Sequence, residues 1–189
     1  MPPRSRTTKT AAYTVPGVDD SDAAKVIDLL QNRLDALNDL ALTLKHVHWN
    51  VVGPNFIAVH TMLDPQVDAV RAMVDATAER IATLGGSPQG IPGGLVSRRS
   101  WDDYSLGRAE TGEHLAALDL VYTGVVEDHR AAIEETDEPD PVTQDLLIAQ
   151  SAQLEQFQWF VRAHLENAAG VLQSSGAKTE KSAARRARR

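Results

Sequence analysis

Cysteine is absent from all 189 residues. That excludes disulfides and thiolate metal ligands, and it suits a reducing compartment. Aromatic residues are scarce at 5%, so any core has to be built from aliphatic side chains. No uninterrupted apolar run approaches the roughly 20 residues of a membrane span, and the basic N-terminus leads into AAYTVPGVDD rather than an apolar signal segment. The chain therefore reads as cytoplasmic, with no membrane partner. No Glu has a His three residues later. A di-iron centre inside one four-helix bundle uses that Glu-x-x-His spacing on two of its helices, so an intrachain centre of that kind is excluded.

What is present begins with 42% hydrophobic residues, enough at this length to bury the core of one domain. The net charge of −7 hides an asymmetry: residues 1–10 hold Arg4, Arg6 and Lys9, residues 177–189 hold six Lys or Arg against Glu180 alone, and the body between is strongly acidic. An acidic body attracts cations, whereas basic ends attract polyanions.

Residues 1–20 are polar, carry three prolines and show no apolar period, so they read as a basic extended arm. From Ser21, an expected N-cap, Val26, Ile27, Leu30, Leu34, Leu37, Leu40, Ala41, Leu44 and Val47 recur at helical steps. A helix is expected there, ending before Gly53-Pro54. A second helix is expected from about Asn55 to Leu84, kinked or restarted at Pro65 and stopped by Gly85-Gly86. The Gly- and Pro-rich stretch 85–105 reads as a crossover with a short helix around Gly94–Arg98. Third and fourth helices are expected from Ser105 to about Thr136 and, with Asp140 as N-cap and Pro141 first in the helix, to about Leu172. The fold class that follows is all-α, a ferritin-like four-helix bundle over 21–172 with a long middle crossover carrying a short helix. Residues 173–189 hold no large apolar residue and read as a disordered basic tail.

The chemistry-bearing types concentrate between His46 and Glu79, HVHWNVVGPNFIAVHTMLDPQVDAVRAMVDATAE, where His48, His60, Asp64, Asp75 and Glu79 follow one another at steps of 12, 4, 11 and 4. At about 100° per residue a helix puts Asp64, Asp75 and Glu79 at about 40°, 60° and 100° from His60, one stripe. Imidazole and carboxylate suit iron. One straight helix cannot close this set, because Asp64 and Asp75 lie ~16 Å apart at ~1.5 Å per residue. Reversing the helix against a copy of itself, about the midpoint between Ala69 and Val70, brings Asp64 opposite Asp75 and His60 opposite Glu79. A two-fold contact of this kind makes two equivalent sites, each shared between subunits. Met73 is expected close to that axis.

Plainer readings stand beside this one. Asp64 before Pro65 is also a good N-cap pair, and the two readings weigh evenly on spacing alone. Asp75 and Glu79, taken alone, read as a solvated helix face. His46 and His48 lie about 200° apart on a helix and cannot both face one site, so His46 reads as structural. His114, His129 and His164 read as ordinary helical residues, and Trp49, Phe157, Trp159 and Phe160 as core or interface packing.

The same stretch, with HW and then H, D, D and E at those steps, together with FQWFVRAHLE near the fourth helix's end, resembles the Dps family, the DNA-binding proteins from starved cells. The resemblance covers nearly the whole chain apart from its ends. It implies a ferritin-like cage of twelve subunits built from two-fold dimers, with His48, His60 and Asp64 of one subunit meeting Asp75 and Glu79 of its mate. It implies a ferroxidase holding two irons per shared site without an organic cofactor, oxidising Fe(II) with hydrogen peroxide in preference to dioxygen and storing ferric mineral. Trp49 resembles the family tryptophan beside the site that takes up stray oxidising equivalents. Glu127, Asp128 and Asp145 resemble acids that line three-fold pores. Lys178, Lys181, Arg185, Arg186, Arg188 and Arg189 crowd one sign of charge at the chain's end and read as a sequence-independent DNA contact, hence nucleoid association. The alternative is a nucleoid-compacting protein whose metal binding is incidental.

Overall fold

The computed structural model describes residues 12–188. The N-terminal arm with Arg4, Arg6 and Lys9, and Arg189 at the other end, lie outside them. Four long helices carry the chain: α1 (Asp20–Asn50), α2 (Phe56–Thr83), α4 (Thr111–Thr136) and α5 (Pro141–Ala163). The connection between α2 and α4 holds the short α3 (Pro92–Arg98), and α6 (Glu180–Ala187) closes the chain. A parallel pair of two-residue strands, β1 (Val51–Val52) and β2 (Ala109–Glu110), is the one sheet among the described residues. The all-α plan with a middle crossover is as expected. No described helix is long and apolar enough to cross a membrane.

The chain divides into two compact units, and each long helix gives a segment to both. The first takes in the chain up to Asp39, Val70–Trp101 and Glu127–Ser151. Its core joins Val26, Ile27, Leu30 and Leu34 of α1 to Ile81, Leu84, Ala132 and Leu147. Truncating one such leucine to Ala costs roughly 2–5 kcal/mol. Gly85 ends α2 at φ +86°, and Gly86 packs so closely that a Cβ would stand 2.8 Å from Ile81 Cγ2. Asp140 caps α5 as expected, with Thr143 donating to its carboxylate and Arg80 Nη2 2.6 Å away. The crossover is tied to α1 by Arg98, which grips Asp35 through two bonds of 2.6 and 2.8 Å, and by Trp101 Nε1, 2.9 Å from Asp39.

The second unit comprises Leu40–Ala69, Asp102–Val126 and the chain from Ala152. Buried Tyr122 donates to Gln66 Oε1 at 2.7 Å, and Asp119 accepts from Arg162 Nε at 2.6 Å and Gln158 Nε2 at 2.9 Å.

Several boundaries differ from expectation. Helix α1 starts at Asp20, so Ser21 lies within its first turn; the Asp19 carbonyl accepts from the amides of Asp22 and Ala23. Pro65 does not interrupt α2. Proline removes one amide donor, and Pro65 sits on the exposed side of the helix beside exposed Thr61, whose unmatched carbonyl can turn to water. Helix α4 begins at Thr111 instead of Ser105, because Leu106 O is taken by His46 and Ala109–Glu110 pair with β1. Helix α5 ends at Ala163 instead of Leu172: Asn167 Oδ1 accepts the amides of Ala169 and Val171, and Gly170 adopts φ +79°. Met73 is 6% exposed, so its side chain packs within its own chain. The tail, expected to lack structure, carries α6. Thr179 and Ser182 cap its start reciprocally, and Ala183, Ala184 and Ala187 are buried. Three small residues make an apolar face that a search for large side chains passes over.

Candidate functional site

Helix α1 delivers His48 in its last turn, and after the β1 turn α2 returns with His60 and Asp64 one turn apart. The three converge in the second unit. The His48 and His60 rings stack with centroids 3.6 Å apart at 27°, and His48 Nε2 lies 3.0 Å from Asp64 Oδ1. His60 Nδ1 is 2.9 Å from the carbonyl of His48. A carbonyl only accepts, so Nδ1 carries the hydrogen and Nε2 of the neutral ring keeps a free lone pair. His48 is 8% exposed; its Nε2 faces Asp64 Oδ1 without a well-formed hydrogen bond, and its Nδ1 has no partner among the described residues. Buried nitrogens without a partner are costly unless a ligand takes them. Two imidazoles and a half-exposed carboxylate are the donor types that suit a divalent cation.

Asp64 lies well inside α2, which settles its second reading: it is not a helix cap. Its carboxylate is held instead by Lys45 Nζ at 2.8 Å. The Lys45 hydrogen bond is the main cause that holds the Asp64 carboxyl below its usual range, with His48 adding to it. Lys45 is the residue that sequence reasoning missed. Its signal was available, because it lies three residues before His48 and so on the same side of α1.

Asp75 and Glu79 belong to the first unit. Both are exposed, and neither side chain bonds to a described residue. Among the described residues of one chain, no group of three or more His, Asp or Glu is arranged to hold a metal ion.

His46 is structural, with Nε2 donating to Leu106 O at 2.7 Å and its ring edge-on to Tyr104. Tyr104 in turn bonds His114 Nδ1 at 3.0 Å, and burial, with the charge of Glu180, pushes its phenol far above the usual value. Phe157 is buried, but Trp49 is 72% and Trp159 60% exposed, so neither tryptophan packs in this chain's core. Of the suggested pore acids, Asp128 is engaged by Arg33 at 3.1 Å, while Glu127 and Asp145 are exposed on α4 and α5. Of the tail cations, Lys178, Lys181, Arg185, Arg186 and Arg188 are exposed. Arg188 nevertheless pairs with Glu113, and Arg186 Nη1 donates to Ser175 O at 2.9 Å.

The family model described as a ferritin-like domain matches residues 27–171. A curated relative, the DNA protection during starvation protein of Mycolicibacterium smegmatis, is 61% identical over 178 residues, covering 94% of this chain and 97% of its own. This chain belongs to the Dps family. Among solved Dps-family structures, DpsA14 from Streptomyces coelicolor matches at 65% identity with a TM-score of 0.86, covering 87% of this chain and 98% of its own. Dps from Microbacterium arborescens in its high iron form matches at 30% identity with a TM-score of 0.75, covering 82% of this chain and all of its own. The Dps likeness thus takes in the ferritin-like helices, and with them His48, His60, Asp64, Asp75 and Glu79.

Proposed function

We propose that this Dps-family chain is a cytoplasmic ferroxidase and iron store that assembles by two-fold dimers into a twelve-subunit cage and binds DNA without reading its sequence. The observation that carries the proposal is the divided donor set. His48, His60 and Asp64 converge with ring nitrogens to offer, while Asp75 and Glu79 stand exposed and without a side-chain partner further along α2. A reversed copy of α2 supplies to each half what the other lacks. Fe(II) is the substrate. Two Fe(II) bound side by side give up one electron each, and one hydrogen peroxide accepts both with two protons to leave two waters. Both reagents of hydroxyl-radical chemistry are consumed together. The ferric product is stored, and Glu127, Asp128 and Asp145 are assigned to the entry path for iron through the attraction of acids for cations.

Complementation tests the shared site. A His60→Ala, Asp64→Ala chain and an Asp75→Ala, Glu79→Ala chain should each be inactive alone. Mixed under conditions where dimers exchange, they should regain peroxide-dependent Fe(II) oxidation, because half the sites of a mixed dimer hold every ligand. A mixture that exchanges subunits and stays inactive refutes the arrangement.

The DNA role is supported by the exposed basic residues of the tail and by the name of the Mycolicibacterium smegmatis relative. Cutting the chain after Gly176 should abolish DNA shifts at moderate salt while iron oxidation persists. Nucleoid compaction with incidental metal binding is the competing reading. It predicts that a ligand-dead cage condenses DNA normally and that the wild type consumes no peroxide with iron.

A further inference from the structure

The cationic end of the chain is not a loose segment. Helix α6 packs in the second unit through Ala183, Ala184 and Ala187, all 9% exposed or less. Gly112 makes the approach possible, since a Cβ there would stand 3.1 Å from Ala187 O. Polar contacts close both ends. Glu180 Oε2 accepts the Ser105 amide at 2.6 Å, and Arg188 Nε pairs with the Glu113 carboxylate. Glu113 is 6% exposed and also accepts the Glu110 amide at 3.0 Å. Burial raises its carboxyl, but the Glu110 amide and the Arg188 guanidinium together hold it below the usual range.

This arrangement divides the tail's cations. Lys178, Lys181 and Arg185 are exposed and bond to no described side chain or backbone group, whereas Arg186 and Arg188 are spent on Ser175 O and Glu113. A carboxylate and a phosphate offer a guanidinium the same forked acceptor geometry. We propose that Glu113 stands in for a DNA phosphate, so that α6 is the stored form of the tail and DNA binds by drawing Arg188 and Arg186 away from the chain. The proposal rests on the tail being the DNA-binding element. The holding contacts are weak enough for such an exchange: three methyl groups, a helix too short to persist alone, and an ion pair whose Arg188 side chain is 65% exposed. Each freed arginine that reaches a phosphate releases a counterion, so release of the tail steepens the salt dependence of binding.

Two neutral replacements separate storage from binding in the full-length assembled protein. Ala183→Gln puts a long polar side chain where no space is exposed, and Glu113→Gln keeps an acceptor for the Glu110 amide while removing the charge that holds Arg188. Limited trypsin digestion without DNA reads docking. In the wild type, cleavage after Lys181 and Arg185 should be slower than after Lys178, and both variants should abolish that difference. Gel shifts with duplex DNA over a salt series read the competition. Both variants should bind more tightly at moderate salt, with a log–log slope steeper than wild type by about 0.9 or more, one phosphate's worth. Equal cleavage after all three residues in the wild type overturns the stored helix even if truncation after Gly176 still abolishes DNA shifts. Variants that lose protection yet keep the wild-type slope overturn the exchange, because the tail would then bind with Arg188 uninvolved. Unchanged DNA affinity on truncation after Gly176 overturns instead the reading on which the proposal rests.

Discussion

At the scale of single residues, Lys45 decides the state in which Asp64 waits. Its ammonium lies 2.8 Å from Oδ1, the same oxygen that faces His48 Nε2. On the proposed route iron must displace it. Lys45→Met should therefore tighten Fe(II) binding, though by no more than roughly fivefold, since ion pairs with an exposed partner are weak. Anaerobic calorimetric titration of the assembled variant and wild type at one pH measures this. A weaker affinity in the variant would mean that Lys45 holds Asp64 in its binding pose rather than guarding it. His48, His60 and Asp64 were legible in the sequence because ligand types at fixed steps constrain geometry directly. Lys45 was not, because an ammonium is no ligand and its role appears only when α1 and α2 face each other.

At the scale of elements, the turn between α4 and α5 depends on Asp140. Its side chain is 2% exposed, and it serves at once as cap for α5 and partner of Arg80 at the end of α2. Burial raises its carboxyl, but the bonds from Thr143 and Arg80 outweigh burial and leave it below the ordinary value. A depressed folded pKa gives stability that is complete above the unfolded value, about 3.9, and is lost as pH falls through the folded one. Thermal melts of the wild type should thus show this contribution intact at neutral pH and declining only below about pH 4. Arg80→Ala should cost on the order of 3 kcal/mol at neutral pH, the penalty of leaving a buried carboxylate unpaired, and should flatten that acid dependence. An Arg80→Ala melt with the wild-type acid profile would show that Arg80 is not what holds the Asp140 proton off. The cap itself could be read from Asp140-Pro141, since capping is a local rule. The late start of α4 and the docking of α6 could not, because each is set by contacts between residues distant in sequence, Leu106 with His46 and Glu180 with Ser105, whereas the early end of α5 follows from the local turn at Asn167 and Gly170.

At the scale of the whole molecule, the two-fold symmetry expected from the sequence acts through the exposed face of α2. With Met73 buried, the residues of α2 left to meet a copy are the exposed ones, among them Thr61, Asp68, Arg71, Ala72, Asp75 and Glu79. Reversal about the midpoint between Ala69 and Val70, the same operation that unites the proposed ligands, sets Asp68 of each subunit opposite Arg71 of the other. Neither side chain bonds to a described residue within the chain, so both are available for that contact. Asp68→Lys alone, or Arg71→Glu alone, would place like charges across the axis twice per dimer, at a cost on the order of several kcal/mol, and should leave smaller species in sedimentation velocity. Asp68→Lys with Arg71→Glu restores opposite charges in the swapped order and should recover both the wild-type sedimentation coefficient and Fe(II) oxidation. Because charge reversal at exposed positions spares the core, recovery would report the register of α2 against its copy. A double variant that assembles no better than the worse single one would move the axis away from Ala69 and Val70, and with it the pairing of Asp64 with Asp75.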